Sequence, residues 1–311
     1  MQTPIRLERL NIEIANISDK TKYWLIRTDK GQNFHTFVEN GFVGIGWNTI
    51  TTNVLQNKSV EEIKLMISKD PDIGQRGADL STAKGKSLVT STLNKIKLFQ
   101  NMKFGDVVII PSAGGEIMAF GEINDDEIFT ETGNDCSYSK RRKVSWITKV
   151  DFKDLDSKFL KFRPMWSAIT DVSNYNPYID RVMYPLFVRG SRSHLILNHT
   201  THNELNLVSF NEFVSEFRIL LKRINEDFEL NEDIDQIFIK INVQSKGLAE
   251  IIKVGQSLLI LSIMLQLSSC SPEERATKPV ESQELYKLYR PASDSLNQRM
   301  LELSMPINNK N

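Results

Sequence analysis

Three tryptophans, Trp24, Trp47 and Trp146, and one basic run, Lys140-Arg141-Arg142-Lys143, are the residues whose types and spacing best suit binding chemistry. Each tryptophan falls in a short run rich in aromatic and β-branched residues, so each is expected on a strand. An indole face stacks on a nucleobase, whether from a single strand or extruded from a duplex, and such stacking is worth about 1–3 kcal/mol per base. The bland alternative is core packing, which one or two of the three must serve, because Trp is highly buried on average. Four cations at a strand entrance exceed the lone guard charge of an ordinary edge strand. Lys84, Lys86, Lys95, Lys97 and Lys103 add five positive charges with no acid between Lys84 and Lys103. That pattern fits a phosphate-binding face or, equally, the solvent side of an amphipathic helix.

Hydrolytic chemistry finds little support. The chain has no GxxxxGK[ST] loop, no GxSxG elbow and no HExxH pair, the motifs that would cradle a phosphate, expose a nucleophile or hold zinc. Asp106 opens an expected strand, but Glu116 and Glu122 lack the lysine two residues on that a metal-dependent nuclease needs. His194, His199 and His202 fall within nine residues, with Glu204 close behind. A zinc ion could be gathered there, yet the spacing matches no standard site and reads as a solvated polar turn. Cys136 and Cys270 are too few for a disulfide framework and suit a reducing cytoplasm. No catalytic residue, metal ligand or cofactor is assigned, and the reading leans away from an enzyme.

The elements that would position these residues can be read from local pattern. Residues 23–28 and 42–47 are expected strands, the second preceded by an Asn40-Gly41 turn. Ser59 with Glu62 is a capping box that starts a helix with Ile63, Met66 and Ile67 on its apolar face. A second helix is expected over 84–102. Residues 107–110 and 117–123 form a hairpin around Pro111–Gly115, and 143–150 is a further strand. Residues 151–178 read as a mixed connector. Two more strands, 184–188 and 194–197, flank Gly190-Ser191. Ser209 and Glu212 suggest another capping box, followed by an amphipathic helix through Ile224. The six carboxylates of 226–235 read as a solvated helix end or loop. Residues 237–243 are a strand, Gly247 a turn, 254–268 an apolar helix and 272–311 a helix-containing tail with frayed ends.

Short strands interrupted by two helices imply a small curved sheet or half-barrel, not an alternating doubly wound fold. The fold class is therefore α+β, with a β-rich domain over 1–165 and a smaller α+β domain over 166–311. Composition agrees with a globular chain: 311 residues, 40% hydrophobic, 25% charged and a formal net charge of zero. Neutrality excludes a whole-molecule basic field, so any nucleic-acid contact must be a local patch. The first residues lack an apolar secretory core, and the apolar stretch 254–268, at 15 residues, falls short of the roughly 20 that span a bilayer. A cytoplasmic protein without a membrane span is expected.

The strings YWLIRTDKGQNFHTFVENGFVGIGWN, GDVVIIPSAGGEIMAFGEI and KRRKVSWI resemble, in order and spacing, the N-terminal module of bacterial Mrr-type restriction-system proteins. That module looks like the EVE branch of the PUA-like superfamily, and the similarity covers about half the chain. It implies a β pseudo-barrel with flanking helices that reads DNA or RNA bases, often chemically modified ones, inside an aromatic-walled pocket. By position, Trp24, Gly46, Trp47, Asn48 and Trp146 would surround the base. Ser112 would line the pocket from the hairpin loop, and Arg141 and Arg142 would contact backbone phosphates. The endonuclease domain usual in such proteins does not follow. The resemblance thus implies a nucleic-acid sensor or specificity protein of anti-phage defence, with a separate effector subunit and an oligomeric assembly open to it. Two rivals stand beside it. One is an effector acting on a membrane or partner through the C-terminal apolar helix; the other is a divergent metal-dependent nuclease.

Overall fold

The computed structural model describes residues 14–73, 78–131, 136–199, 206–240 and 247–307. The protein is α+β. Its residues group into two units, one over Thr21–Ile179 and one over Asp180 onward together with the residues before Thr21. The division thus lies near 180, where the sequence suggested 165. Two pairings invisible to local pattern account for the division: residues 169–171 pair with 24–26 of the first unit, and strand β1 (Ala15–Ile17) lies parallel to a strand of the second.

The first unit is a curled half-barrel sheet flanked by helices. Its strands are β2 (Tyr23–Ile26), β3 (Phe42–Ile45), β4 (Val107–Pro111), β5 (Ile117–Ile123), β6 (Phe129–Thr130), β7 (Lys140–Asp151) and β8 (Ile169–Asp171). They run in the order β3-β7-β5-β4-β2-β8, with β6 also on β7. The curl comes from β7. Its first half pairs with β3 and β6, and its second half, from Val144 on, pairs with β5. A register shift at Phe120/Gly121 bends the strand, as a bulge does. Gly121 is required there, because a Cβ would lie 2.7 Å from the Ser145 carbonyl oxygen.

Every residue of β2 and β4 is buried, which explains their unbroken apolar runs. One face, carrying Trp24, Ile26, Val108 and Ile110, packs with α1 (Phe34–Glu39), α3 (Val60–Ser68) and α4 (Ala83–Gln100); a short helix, α2 (Thr52–Asn57), precedes α3. The Ser59–Glu62 capping box starts α3 as expected. Phe159 covers Phe120 edge-on and meets Phe162, which meets Tyr175. The stretch that reads as a connector is therefore a second layer of core.

The second unit begins in α5 (Asn176–Met183), continues through β9 (Leu186–Arg189), β10 (Arg192–His199), α6 (Leu207–Asp227), β11 (Ile237–Lys240) and β12 (Gly247–Val254), and ends with α7 (Ser257–Ser269), α8 (Pro272–Ala276) and α9 (Val280–Glu302). The sheet order is β1-β9-β10-β12-β11. Two expectations are corrected here. Gly247 opens a strand rather than a turn, paired with β10 from His199↔Gly247 to Arg192↔Val254. Asn206, not Ser209, caps α6, accepting from the amides of Val208 and Ser209. The tail contains the expected helix, with Leu285, Tyr286, Tyr289, Leu296 and Met300 buried against α6 and α7.

α7 is buried on most of its length, including Leu258, Ile260, Leu261, Met264 and Leu265. Among the described residues no helix is long and apolar enough to cross a membrane. The acidic stretch after α6 is not merely solvated. Glu232 accepts from the buried Lys253 Nζ at 2.6 Å and from Ser257 Oγ at 2.5 Å, and the Gln256 and Ser257 amides also donate to it. It wraps the turn at Gly255 (φ 106°), where a Cβ would meet its carboxylate at 2.2 Å.

Candidate functional site

The indole N–H groups separate the three tryptophans. Trp24, buried on β2, donates to Asp106 Oδ2 at 2.9 Å. Trp146 on β7 donates to the Phe37 carbonyl at 2.8 Å. Trp24 is buried in the core, Trp146 is half-buried against it, and both have satisfied donors. Trp47 differs. Its Nε1 is buried and has no hydrogen-bond partner among the described residues, and its backbone sits at φ 58°. A bulky side chain in the left-handed region is an outlier that its surroundings must enforce.

Those surroundings are a polar cluster at the C-terminal end of β3. The Trp47 amide donates to Asp72 Oδ2, and the Trp47 carbonyl accepts from Lys140 Nζ at 2.5 Å. Gly46 lets the aspartate approach, since a Cβ there would lie 2.6 Å from Asp72 Oδ2. Asp70 anchors the acidic side, accepting from Thr49 Oγ1 and from the Asp72 amide at 2.9 Å. Asn48 ties the neighbouring loop: its Nδ2 donates to the Ser137 carbonyl at 2.7 Å, and its Oδ1 accepts from the Ser139 amide at 3.0 Å. Trp47 is thus clamped on both sides of its peptide.

The electrostatics follow from burial. Lys140 is 2% exposed, and burial pushes its ammonium down to about 8, against the opposing pull of Asp70 and Asp72. Burial also pushes the Tyr138 phenol up to about 12, with the charges of Asp29 and Asp72 adding to the effect. Asp29 belongs to a tight turn, Asp29-Lys30-Gly31, with all three residues at positive φ. Gly31 packs on the hairpin loop so closely that a Cβ would lie 2.2 Å from the Ala113 backbone. Ser112 beside it accepts from the Ile117 amide at 2.9 Å. These contacts tie the loops at 46–50, 70–72 and 136–139 to one another, and the loop at 28–33 separately to that at 112–115.

The structure therefore brings Gly46, Trp47 and Asn48 together, while Ser112 lies in the hairpin loop that packs against the turn at Gly31. Trp24 lies in the core and Trp146 half-buried against it, each with its indole N–H already paired. Arg141 and Arg142 are corrected most sharply. Arg142 is 1% exposed, and its guanidinium donates to the carbonyls of Phe99 (2.8 Å), Asp126 (2.9 Å), Asp125 and Gln100. Arg141 lies over the Phe42 ring at 4.3 Å and donates to the Tyr138 and Cys136 carbonyls and to Glu131. Both are buried and donate to carbonyls within the chain, bracing loops rather than facing a phosphate. Lys140, Tyr138, Asp70 and Asp72 are the site residues that sequence reading missed. Nothing local in the basic run distinguishes Lys140, and only the Ile45↔Lys140 register brings it beneath Trp47.

Other candidates resolve into structural roles. Asp106 accepts from Trp24 and from the Lys22 and Lys103 amides. His194 stacks on Phe187 at 4.5 Å and shares a 2.7 Å hydrogen bond with the buried Glu250. His202 and Glu204 lie outside the described residues. Among the described residues no group of three His, Cys, Asp or Glu side chains could hold a metal ion. In the comparisons with known proteins, no curated protein and no solved structure matches the chain. Residues 22–170 match the model of a family described as a domain of unknown function (DUF8426), a span lying within the first unit.

Proposed function

We propose that the first unit reads a nucleobase, in keeping with the PUA-like resemblance, and that Trp47 is its reading residue. One observation carries this: a buried indole N–H without a partner, on a side chain whose backbone is held in a strained conformation. An unpaired buried donor costs about 1–3 kcal/mol, and strained positive-φ residues concentrate at ligand sites. A base supplies what is missing, an acceptor atom for Nε1 and a face for the ring. The neighbouring Asp29 and Asp72 disfavour a phosphate at the same spot, so the acidic rim admits a base while its backbone lies elsewhere. The protein is then a sensor or specificity module for modified DNA or RNA in cytoplasmic defence against phage, and any effector is supplied separately.

The test is binding of a panel of oligonucleotides, matched in sequence and differing in one modified base, to wild type, Trp47→Phe and Trp47→Ala. Trp47→Phe keeps the ring and deletes the N–H, so discrimination between bases falls by about tenfold. Trp47→Ala loses stacking as well and reduces affinity for the preferred base further. Equal affinities across the panel for all three proteins refute the reading.

A further inference from the structure

A second surface of the first unit fits nucleic acid for different reasons. A groove of about 560 Å³ runs between α4 and β8. Lys86, Ser87, Ser91, Asn94 and Lys95 line it from the helix, and Ser167 from the loop before β8. Among the described residues that line it there is no carboxylate. Ser87, Ser91, Asn94 and Leu98 recur at spacings of four, three and four, one stripe of an α-helix, so cations, hydroxyls and an amide share one continuous face. The adjoining residue, Trp166, is 85% exposed. So large an exposed indole is unusual, and it does not sit on a slack loop. Arg27 donates to the carbonyls of Phe162, Arg163 and Met165 and lies 5.8 Å from the Trp166 ring centroid. A rigidly held, solvent-facing aromatic beside hydroxyls and two lysines is the composition of a stacking platform with a phosphate track.

We propose that this groove binds single-stranded nucleic acid, its phosphates along Lys86 and Lys95 and one base stacked on Trp166. The proposal rests on the first unit being a nucleic-acid module but not on Trp47.

The experiment measures fluorescence anisotropy of a labelled, unmodified oligothymidylate over a series of salt concentrations. Wild type binds, and its affinity falls as salt rises. Lys86→Glu with Lys95→Glu lowers affinity at least tenfold and flattens the slope of log K against log salt by about 1.4, since each single-strand phosphate contact contributes roughly 0.7. Trp166→Ala lowers affinity at least fivefold while leaving the salt slope unchanged. The same charge reversal at Lys153, 77% exposed on its side chain, leaves both quantities as in wild type. Unchanged affinity in the groove variants overturns the proposal, as does tighter binding of a duplex than of the single strand. Trp47→Ala separates the two readings. It retains oligothymidylate binding if the groove is the track, whatever it does to discrimination between modified bases.

Discussion

Arg142 gives the sharpest quantitative test, because sequence and structure assign it opposite roles. A surface arginine on a phosphate costs affinity when removed and leaves stability unchanged; a buried brace does the reverse. In the structure its guanidinium holds the carbonyls of Phe99 and Gln100, in the last turn of α4, and those of Asp125 and Asp126 before β6. Hydrogen bonds to a charged donor contribute about 1.5–3 kcal/mol each, and those to Phe99 and Asp126 have ordinary lengths of 2.8 and 2.9 Å. Part of that gain offsets the burial that lowers the guanidinium's own pKa. Arg142→Met keeps the aliphatic stem and leaves the carbonyls unpaired, so a loss of about 3–5 kcal/mol is expected, in the range for a broken buried polar network. For a domain of this size that is a fall in Tm of about 6–20 °C. The assay isolates the right unit, because all four tryptophans lie within Thr21–Ile179 and intrinsic fluorescence reports that unit alone. Lys86→Met, at an exposed position, serves as the control and melts as wild type does. An Arg142→Met protein that melts within a degree or two of wild type refutes the argument. Lost nucleic-acid binding in that same protein would return the residue to the phosphate role.

Two further predictions concern buried charges. Lys140 has a folded value of about 8 against an ordinary 10.5, so between those values the unfolded chain binds more protons and stability rises with pH. The rise amounts to about 3 kcal/mol across that window; urea midpoints at pH 7.5 and pH 10.5 should show it in wild type and not in Lys140→Met, and parallel profiles would refute it. In the second unit, burial works against ionisation of Glu232, yet hydrogen bonds from Lys253, Ser257 and Gln256 hold it below the usual carboxylate range. Its contribution is therefore complete above about pH 4.5 and fades as pH falls through the lowered value. Glu232→Ala strands the buried Lys253 ammonium and costs about 3–5 kcal/mol, more than Lys253→Met, and equal denaturant midpoints for the two variants would contradict this.

Elements whose signals are local could be placed from residue types and spacing alone. The Ser59–Glu62 box, the apolar spacing of α4 and the hairpin around Pro111–Gly115 specify their own geometry within a few residues, because caps, helical period and turn chemistry act over one or two turns of chain. An α+β fold with a curved sheet followed from those elements in order. Signals that depend on a distant partner did not survive as local patterns. The run Gly247–Val254 is a strand because β10 pairs with it along its whole length, and a short mixed run that opens on glycine does not by itself separate strand from turn or helix. Asn206 and Ser209 are equally good caps on paper, and packing of α6 chose the first.

The site shows the same division more starkly. Three consecutive cations, Lys140, Arg141 and Arg142, look like a solvent-facing patch, yet all are buried, because the first half of β7 is a central strand with β3 on one side and β6 on the other. Nothing in four basic residues encodes which carbonyls will be waiting for them. The three tryptophans were legible as strand residues of one unit. Which of them was left with an unsatisfied N–H was decided by Asp106, Phe37, Asp72 and Lys140, residues 25 to 109 positions away along the chain. Residue type sets what a side chain can do; the register of a curled sheet decides which one remains free to do it.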